Sequence, residues 1–314
     1  MKLRNIINRV RETVENTLIP GKTITRQVNG HRMTIAKNDT GIGLALRRMR
    51  KGDPDREPAF MEIIENEVQP GMTVVDIGAN IGHVSVNLGL LVGPSGFVYA
   101  LEPHPINVQL LRRNLSANGY GSRSAVYEIG VSSHEGSVEF FLAKESNLGA
   151  LHQTPYGVDQ ITVDVISLDK FFADKSKPHF LKMDVEGAEI EVLDGFKKTA
   201  LSSPRGLKIL IEVHPTYYSE ERNFRRQLQE YFEMGFETKF LISAGVSQPD
   251  WFRSNGLSPD KVFQIGNLSR GIYSNIPDDL VIESICNRHR QFIPKQNCYH
   301  DKIVRAIMLE KTRA

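Results

Sequence analysis

Two stretches of this sequence bring together side chains able to move a proton or hold a cation. In FLKMDVEGAE (180–189) the polar residues are Lys182, Asp184, Glu186 and Glu189, and in ILIEVHP (209–215) they are Glu212 and His214. Each stretch starts as a short apolar run of the kind that forms a buried strand. In an open α/β sheet ligands bind outside the carboxyl ends of the strands, so both polar sets should face one crevice. Strand alternation places Lys182 and Asp184 on a common face, and Glu212 and His214 likewise. Two chemistries suit such a cluster. Asp184 or His214 can take the proton from an attacking hydroxyl, with Glu212 and Glu186 beside them. Alternatively Asp184, Glu212 and His214 can hold a divalent cation, Mg²⁺ or Mn²⁺, that acidifies the hydroxyl. Glu186 and Glu189 also suit the positive N-terminus of the helix that follows, a role without catalysis.

The partner that would be attacked is suggested by TVVDIGANIG (73–82). A strand that ends in glycine and leads straight into a helix lets backbone N–H groups approach a ligand closely. The spacing of Gly78, Ala79, Asn80 and Gly82 departs from the dinucleotide pattern, because Asn80 stands in the middle and Asp76 precedes the first glycine. A carboxylate there disfavours a pyrophosphate and welcomes an ammonium or sulfonium centre. The next strand, Phe97 to Leu101, runs into Glu102-Pro103, and an acid at that point can accept both ribose hydroxyls while repelling a phosphate. The expected cofactor is S-adenosylmethionine, in preference to NADP or NAD. An NAD-dependent oxidoreductase on the same sheet is the rival reading.

These residues must be positioned by a repeated strand–helix unit. Strands are expected at 73–77, 97–101, 125–129, 179–183 and 207–213, with helices at 83–91, 105–118, 188–197 and 220–234 between or after them. Such alternation marks a parallel sheet covered on both faces. It is interrupted by two strand-like segments, 137–142 and 161–166, around a polar loop, 143–160, that is expected to close over substrate. Further strands are expected from Gly235 and over 262–265. Before the first unit, Leu3, Ile6, Ile7, Val10, Val14 and Leu18 recur at helical spacing, a face suited to packing or to homo-oligomer contact. Thr23 to Ile35 reads as a hairpin around Asn29-Gly30, and Pro58 to Glu67 as a helix. After 267, two short helices are expected, near 279–290 and 301–310.

Composition bounds the rest. The chain has 314 residues, with 39 Lys plus Arg against 37 Asp plus Glu, a formal charge of +2. That balance gives no footprint for bulk nucleic-acid or anionic-membrane binding. An RNA 2′-O-methyltransferase therefore stays only as an alternative, resting on the local run Arg47, Arg48, Arg50. Two cysteines make no disulfide framework, the start MKLRNIINRVRE resembles no secretory signal, and no apolar run approaches ~20 residues. A cytoplasmic protein without a transmembrane segment is expected. Cys286, His289, Cys298 and His300 could hold zinc only with an unusually tight final pair.

In order and spacing, VVDIGANIGHVS, VYALEPHP, RRNLSANG, ISLDKFF, FLKMDVEGAEIEVLDGF and ILIEVHP resemble the FkbM family of S-adenosylmethionine-dependent methyltransferases, over about residues 58 to 240. The resemblance implies a Rossmann-like class I methyltransferase fold: a seven-stranded, mostly parallel sheet with helices on both faces and an antiparallel last strand. It also implies methyl transfer mainly to oxygen of sugars, glycans, polyketides and similar metabolites. Carried over by position, Asp76, Gly78, Asn80 and Gly82 would line the methionine side of the cofactor and Glu102 would bind the ribose. Asp184, Glu186, Glu212 and His214 would surround the transferring methyl. The expected division is an accessory helix and hairpin over 1–57, a methyltransferase domain over 58–266 and a helical extension over 267–314.

Overall fold

The computed structural model describes residues 22–153, 157–294 and 296–313. The amphipathic helix expected near the N-terminus lies outside them. Asn29 and Gly30 both take left-handed φ, 47° and 82°, the two-residue turn whose twist matches a hairpin. Across it β1 (Thr23–Val28) pairs antiparallel with β2 (His31–Ala36). Helices at Ile42–Arg48 and Pro58–Glu67 lead to the strand–helix units. Here β3 (Thr73–Ile77), β4 (Phe97–Glu102) and β5 (Ser124–Glu128) are parallel neighbours.

The expected interruption is a separate small sheet of β6 (Gly130–Val131), β7 (Gly136–Ala143) and β8 (Gly157–Ile166). The stretch 143–160 is therefore a loop only in its middle, since β8 begins at Gly157. The chain returns through β9 (Phe180–Met183) and β10 (Lys208–Glu212), laid parallel on the other side of β3. Then follow β11 (Phe236–Ser243), β12 (Lys261–Ile265), β13 (Leu268–Tyr273), a small hairpin of β14 (Gln291–Ile293) and β15 (Cys298–His300), and β16 (Val304–Lys311).

Among the described residues the main sheet has nine strands in the order β12-β13-β11-β16-β10-β9-β3-β4-β5. The stretch from β11 to β5 has the seven strands that the resemblance implies, but one of them is β16, the strand latest in the chain and antiparallel to both its neighbours, while the strand expected over 262–265, β12, lies outside it. Two further antiparallel strands, β13 and β12, widen the edge beside β11.

The tail after 267 corrects the sequence reading. A helix at Asp278–Cys286 is present, but residues 301–310 are not helical and 267–314 is no helical extension. Their run Val304 to Leu309 is inserted between β10 and β11 as an interior strand. Ala306 and Met308 pack on one face of the sheet, and Ile307 and Leu309 on the other. A strand buried on both faces carries a continuous apolar run instead of an alternation, which periodicity alone does not separate from a buried helix.

Residues 22–57 share their core with the main domain. Val28, Met33, Ile35 and Leu46 pack with Val86, Leu110, Leu111 and Leu115. Asn114 completes the edge of β2: its Oδ1 accepts from Thr34 N at 2.6 Å, and its Nδ2 donates to Thr34 O and to Ile81 O. Asn118 bonds both backbone groups of Arg32 in the same way. No helix among the described residues is long and apolar enough to cross a membrane.

Candidate active site

Strand order reverses between β3 and β9, and there the crevice opens. Gly78 ends β3 with φ 68°, and a Cβ on it would lie 1.9 Å from the Asp184 carbonyl oxygen. Only glycine lets the two strand ends close to that distance. Asn80 and Gly82 also take left-handed φ, so the chain curls under the cavity before the helix His83–Leu91 begins. At the end of β4 the buried Glu102 carboxylate accepts from Asn80 N at 2.8 Å, His104 N at 3.0 Å and Asn107 Nδ2 at 3.2 Å. Burial raises its pKa against these bonds. Gly78, Ala79, Asn80, Glu102 and Pro103 line the cavity together with Ile129, Val131, Phe140 and Leu151.

Asp76 does not reach it. Strand alternation turns Asp76 under the helix, where it is fully buried, accepts from Ser85 Oγ at 2.6 Å and pairs with Lys182 Nζ at 2.9 Å. Lys182, its register partner on β9, donates to the Gly78 carbonyl at 3.1 Å. The acid expected to meet the cofactor instead braces the glycine loop that lines the cavity. Gly82 is likewise absent from the lining, its backbone packing on Leu111.

The acids form the other wall. His214 is buried, and its Nδ1 lies 2.6 Å from Glu189 Oε1. Glu189 in turn accepts from Tyr218 Oη at 3.1 Å and Gly187 N at 3.0 Å. The other ring nitrogen, Nε2, faces Glu212 at 3.2 Å, Glu186 at 3.4 Å and Asp184 at 3.8 Å. Burial disfavours a charged ring, but Glu186 and Glu189 outweigh it and push His214 up to about 10. Burial raises Glu186 to about 7, despite the opposing pull of His214. Asp184 is raised by burial and by the charge of Glu212. Glu212 is the exception: burial opposes its charge, yet Arg305, 2.6 Å away, and His214 hold it far below the carboxylate range. Glu186 has φ 45°, a conformation uncommon outside glycine and one that marks functional turns. Asp184, Glu186 and Glu212 line the same cavity as the glycine loop.

Several members of this wall come from places where the spacing of the acids gave no signal. Arg305 opens β16 and also reaches Glu57 at 3.3 Å, and Glu57 pairs with Arg270 on β13 at 3.7 Å. Lys302, whose pKa burial and Arg305 lower, donates to the Val213 carbonyl. Such partners become recognisable only once the tail is seen to be a core strand. Asp55, Arg56 and Glu57 line the cavity from the stretch read as accessory.

The loop after β7 lies over the opening. Phe141 bridges Ala150, Asn80 Nδ2 donates to Ser146 O at 3.0 Å, and Ser146 Oγ donates to Asp39 at 2.9 Å. Among the described residues, the one group of His, Cys, Asp and Glu atoms close enough to share a metal is Asp184, Glu212 and His214, within 4.8 Å of one another. Cys286 and Cys298 are free and no such group includes them. Trp251 and Phe252 lie in a short helix against Tyr273 and His289, folded onto the sheet edge and away from the cavity lining.

Comparison with known proteins gives matches of the same kind. The family model described as the methyltransferase FkbM domain matches residues 76–238. Hexuronic acid methyltransferase AglP of Haloferax volcanii is 28% identical over 161 residues, 50% of this chain and 62% of that protein. A protein-L-isoaspartate O-methyltransferase of Methanothrix thermoacetophila is 37% identical over 60 residues, 19% of this chain and 29% of its own length. In both cases the match spans less than two thirds of the relative. Among solved structures, a precorrin-6y C5,15-methyltransferase of Geobacter metallireducens aligns over 84% of this chain and 93% of its own, at 12% identity and a TM-score of 0.42.

Proposed function

The chain belongs to the FkbM methyltransferase family, and from that premise we propose that it transfers the methyl group of S-adenosylmethionine to an oxygen of a sugar, glycan, polyketide or related metabolite. The observation that carries this reading is Glu186, a part-buried acid that lines the same cavity as the glycine loop and Glu102 and whose pKa is raised to about 7. The residues present fit the cofactor: Glu102 stands where a ribose diol needs an acceptor, and Ile129, Val131, Phe140 and Leu151 offer an apolar wall to an adenine ring. When bound, S-adenosylmethionine supplies an electrophilic methyl group on a sulfonium.

The chain's own residues supply the rest. The acceptor hydroxyl is held against Asp184 and Glu186, and Glu186 takes its proton as the oxygen forms its bond to carbon. His214 is not the base in this reading, because its ring already carries a proton at neutral pH. It holds the facing acids in place, oriented by Glu189. Glu212, kept ionised by Arg305, adds negative potential beside a cationic reaction centre. The likeness to a hexuronic acid methyltransferase supports a sugar-type acceptor.

The convergence of Asp184, Glu212 and His214 favours a second reading, in which these three hold Mg²⁺ or Mn²⁺ as a Lewis acid. The proton on His214 and the guanidinium on Glu212 weigh against it. The test is a panel of sugars, sugar acids and polyols incubated with S-adenosylmethionine, read as S-adenosylhomocysteine release and a methylated product. Glu186→Gln should lower kcat by about 10²–10⁴ with cofactor affinity kept, and Glu102→Ala should do the reverse. Equal loss of cofactor in both variants would refute the division of roles, and indifference to a chelator would refute the metal reading.

A further inference from the structure

The three residues that enter the cavity from before Pro58 are held unequally. Asp55 lies 3.1 Å from His83 Nε2, accepts from Asn29 Nδ2 at 2.6 Å, and bonds the backbone N–H of Glu57. Glu57 is shared between Arg305 and Arg270. Arg56, between them, lines the cavity and has no hydrogen bond or ion pair among the described residues. The other basic side chains of the lining are engaged: Lys182 with Asp76, and the His83 ring with Asp55. With the residues on either side of it anchored and its own guanidinium fork unused, Arg56 is placed to take a planar two-oxygen anion.

We propose that Arg56 is the anion-binding residue of this cavity and takes a carboxylate presented within it. The inference rests on the methyltransferase reading, and it names a contact which that reading leaves open. Two ligands can bring a carboxylate: the methionine end of the cofactor, and an acidic acceptor such as a uronic acid. Charge supports the assignment. Among the described residues none of the lining acids pairs with Arg56: Asp55 bonds the His83 ring, Glu57 and Glu212 pair with Arg305, and Glu186 faces His214, so Arg56 has no partner in the protein until a ligand arrives.

Paired probes distinguish the sources in the full-length protein. Calorimetry compares S-adenosylmethionine with its decarboxylated analogue, and D-glucuronate with D-glucose on protein loaded with S-adenosylhomocysteine. Arg56→Gln should weaken the carboxylate-bearing member of one pair by about ten- to a hundredfold and leave its carboxylate-free partner within about twofold, with Arg56→Lys recovering part of the loss. The pair that responds identifies the source. If both members of each pair shift alike, or neither shifts, the proposal is overturned while the methyltransferase reading stands. A wild-type protein that binds neither form of the cofactor overturns both.

Discussion

The two walls of the cavity are built by different means. The glycine-turn wall is local and largely backbone: one turn with Gly78 and Asn80 in left-handed conformation and the acid at the end of the neighbouring strand, all within 76–104. The opposite wall is made of side chains, Glu57 before the first core helix, Asp184 and Glu186 after β9 and Glu212 at the end of β10, backed by partners drawn from the whole chain: Glu189, His214 after β10, Arg270 on β13 and Arg305 on β16. A turn that must bring backbone to within contact of backbone dictates its own residue types. A cluster of buried acids dictates only that compensating cations exist, and leaves their position in the chain open.

That contrast predicts opposite couplings of stability to function. On the acid wall, Glu186→Gln should cost the most activity, about 10²–10⁴ in kcat, and yet make the fold more stable at alkaline pH. The folded-state pKa of Glu186 lies above its ordinary 4.5, at about 7. Its contribution to stability is thus present in full below 4.5 and lost as pH rises through 7. Removing the charge should regain on the order of 1–3 kcal/mol at pH 8 in denaturant titrations. The wild-type rate should rise as pH passes 7, when Glu186 ionises. It should fall near 10, where His214 loses the proton that steadies the facing acids. A rate indifferent to pH between 6 and 8 would remove Glu186 from the role of base.

Arg305→Gln should be next in size and of opposite sign. It leaves Glu212 buried at 5% exposure without its guanidinium, which typically costs about 3–5 kcal/mol. The fall should be largest above pH 6 and shrink in acid as Glu212 protonates. Gly78→Ala tests the other wall. The added methyl meets the Asp184 carbonyl at 1.9 Å in a left-handed backbone, so stability should drop by about 2–4 kcal/mol and cofactor binding with it. The walls differ as described only if the glycine variant loses both together while the Glu186 variant exchanges one for the other.

The same difference explains what could be read in advance. The glycine turn, Glu102, the strand-end acids and His214 were all visible, because each sits at a fixed offset from an apolar strand. Asp76 was visible but misassigned: alternation within β3 places it on the buried face with Val74, beneath Ser85. Arg305 and Arg270 could not be assigned while 267–314 read as helical, since a helix there would carry neither residue into the sheet. The sequence offers Glu189 both as a member of the converging polar set and as a helix-terminus acid, and its bond to His214 depends on how the helix after β9 packs on β10.

The smallest effect concerns the loop beside the glycine-turn wall. Ser146 meets both parts of the protein: its carbonyl accepts from Asn80 of the glycine turn, and its hydroxyl donates to Asp39, which also accepts from Gly41 N and Gly43 N at the start of the helix Ile42–Arg48. Asp39→Ala would lose the cap and the loop contact together, at about 0.5–2 kcal/mol. Ser146→Ala isolates the second. It removes one hydroxyl bond, worth about 0.5–1.5 kcal/mol, and leaves the cap and the core untouched. The melting temperature should stay within about 1 °C, because a half-buried loop opens on its own without the global transition. Cofactor release in stopped flow should accelerate by about two- to tenfold. If release is unchanged in Ser146→Ala but faster in Asp39→Ala, the N-terminal stretch acts on the cavity through the helix it caps and not through this loop.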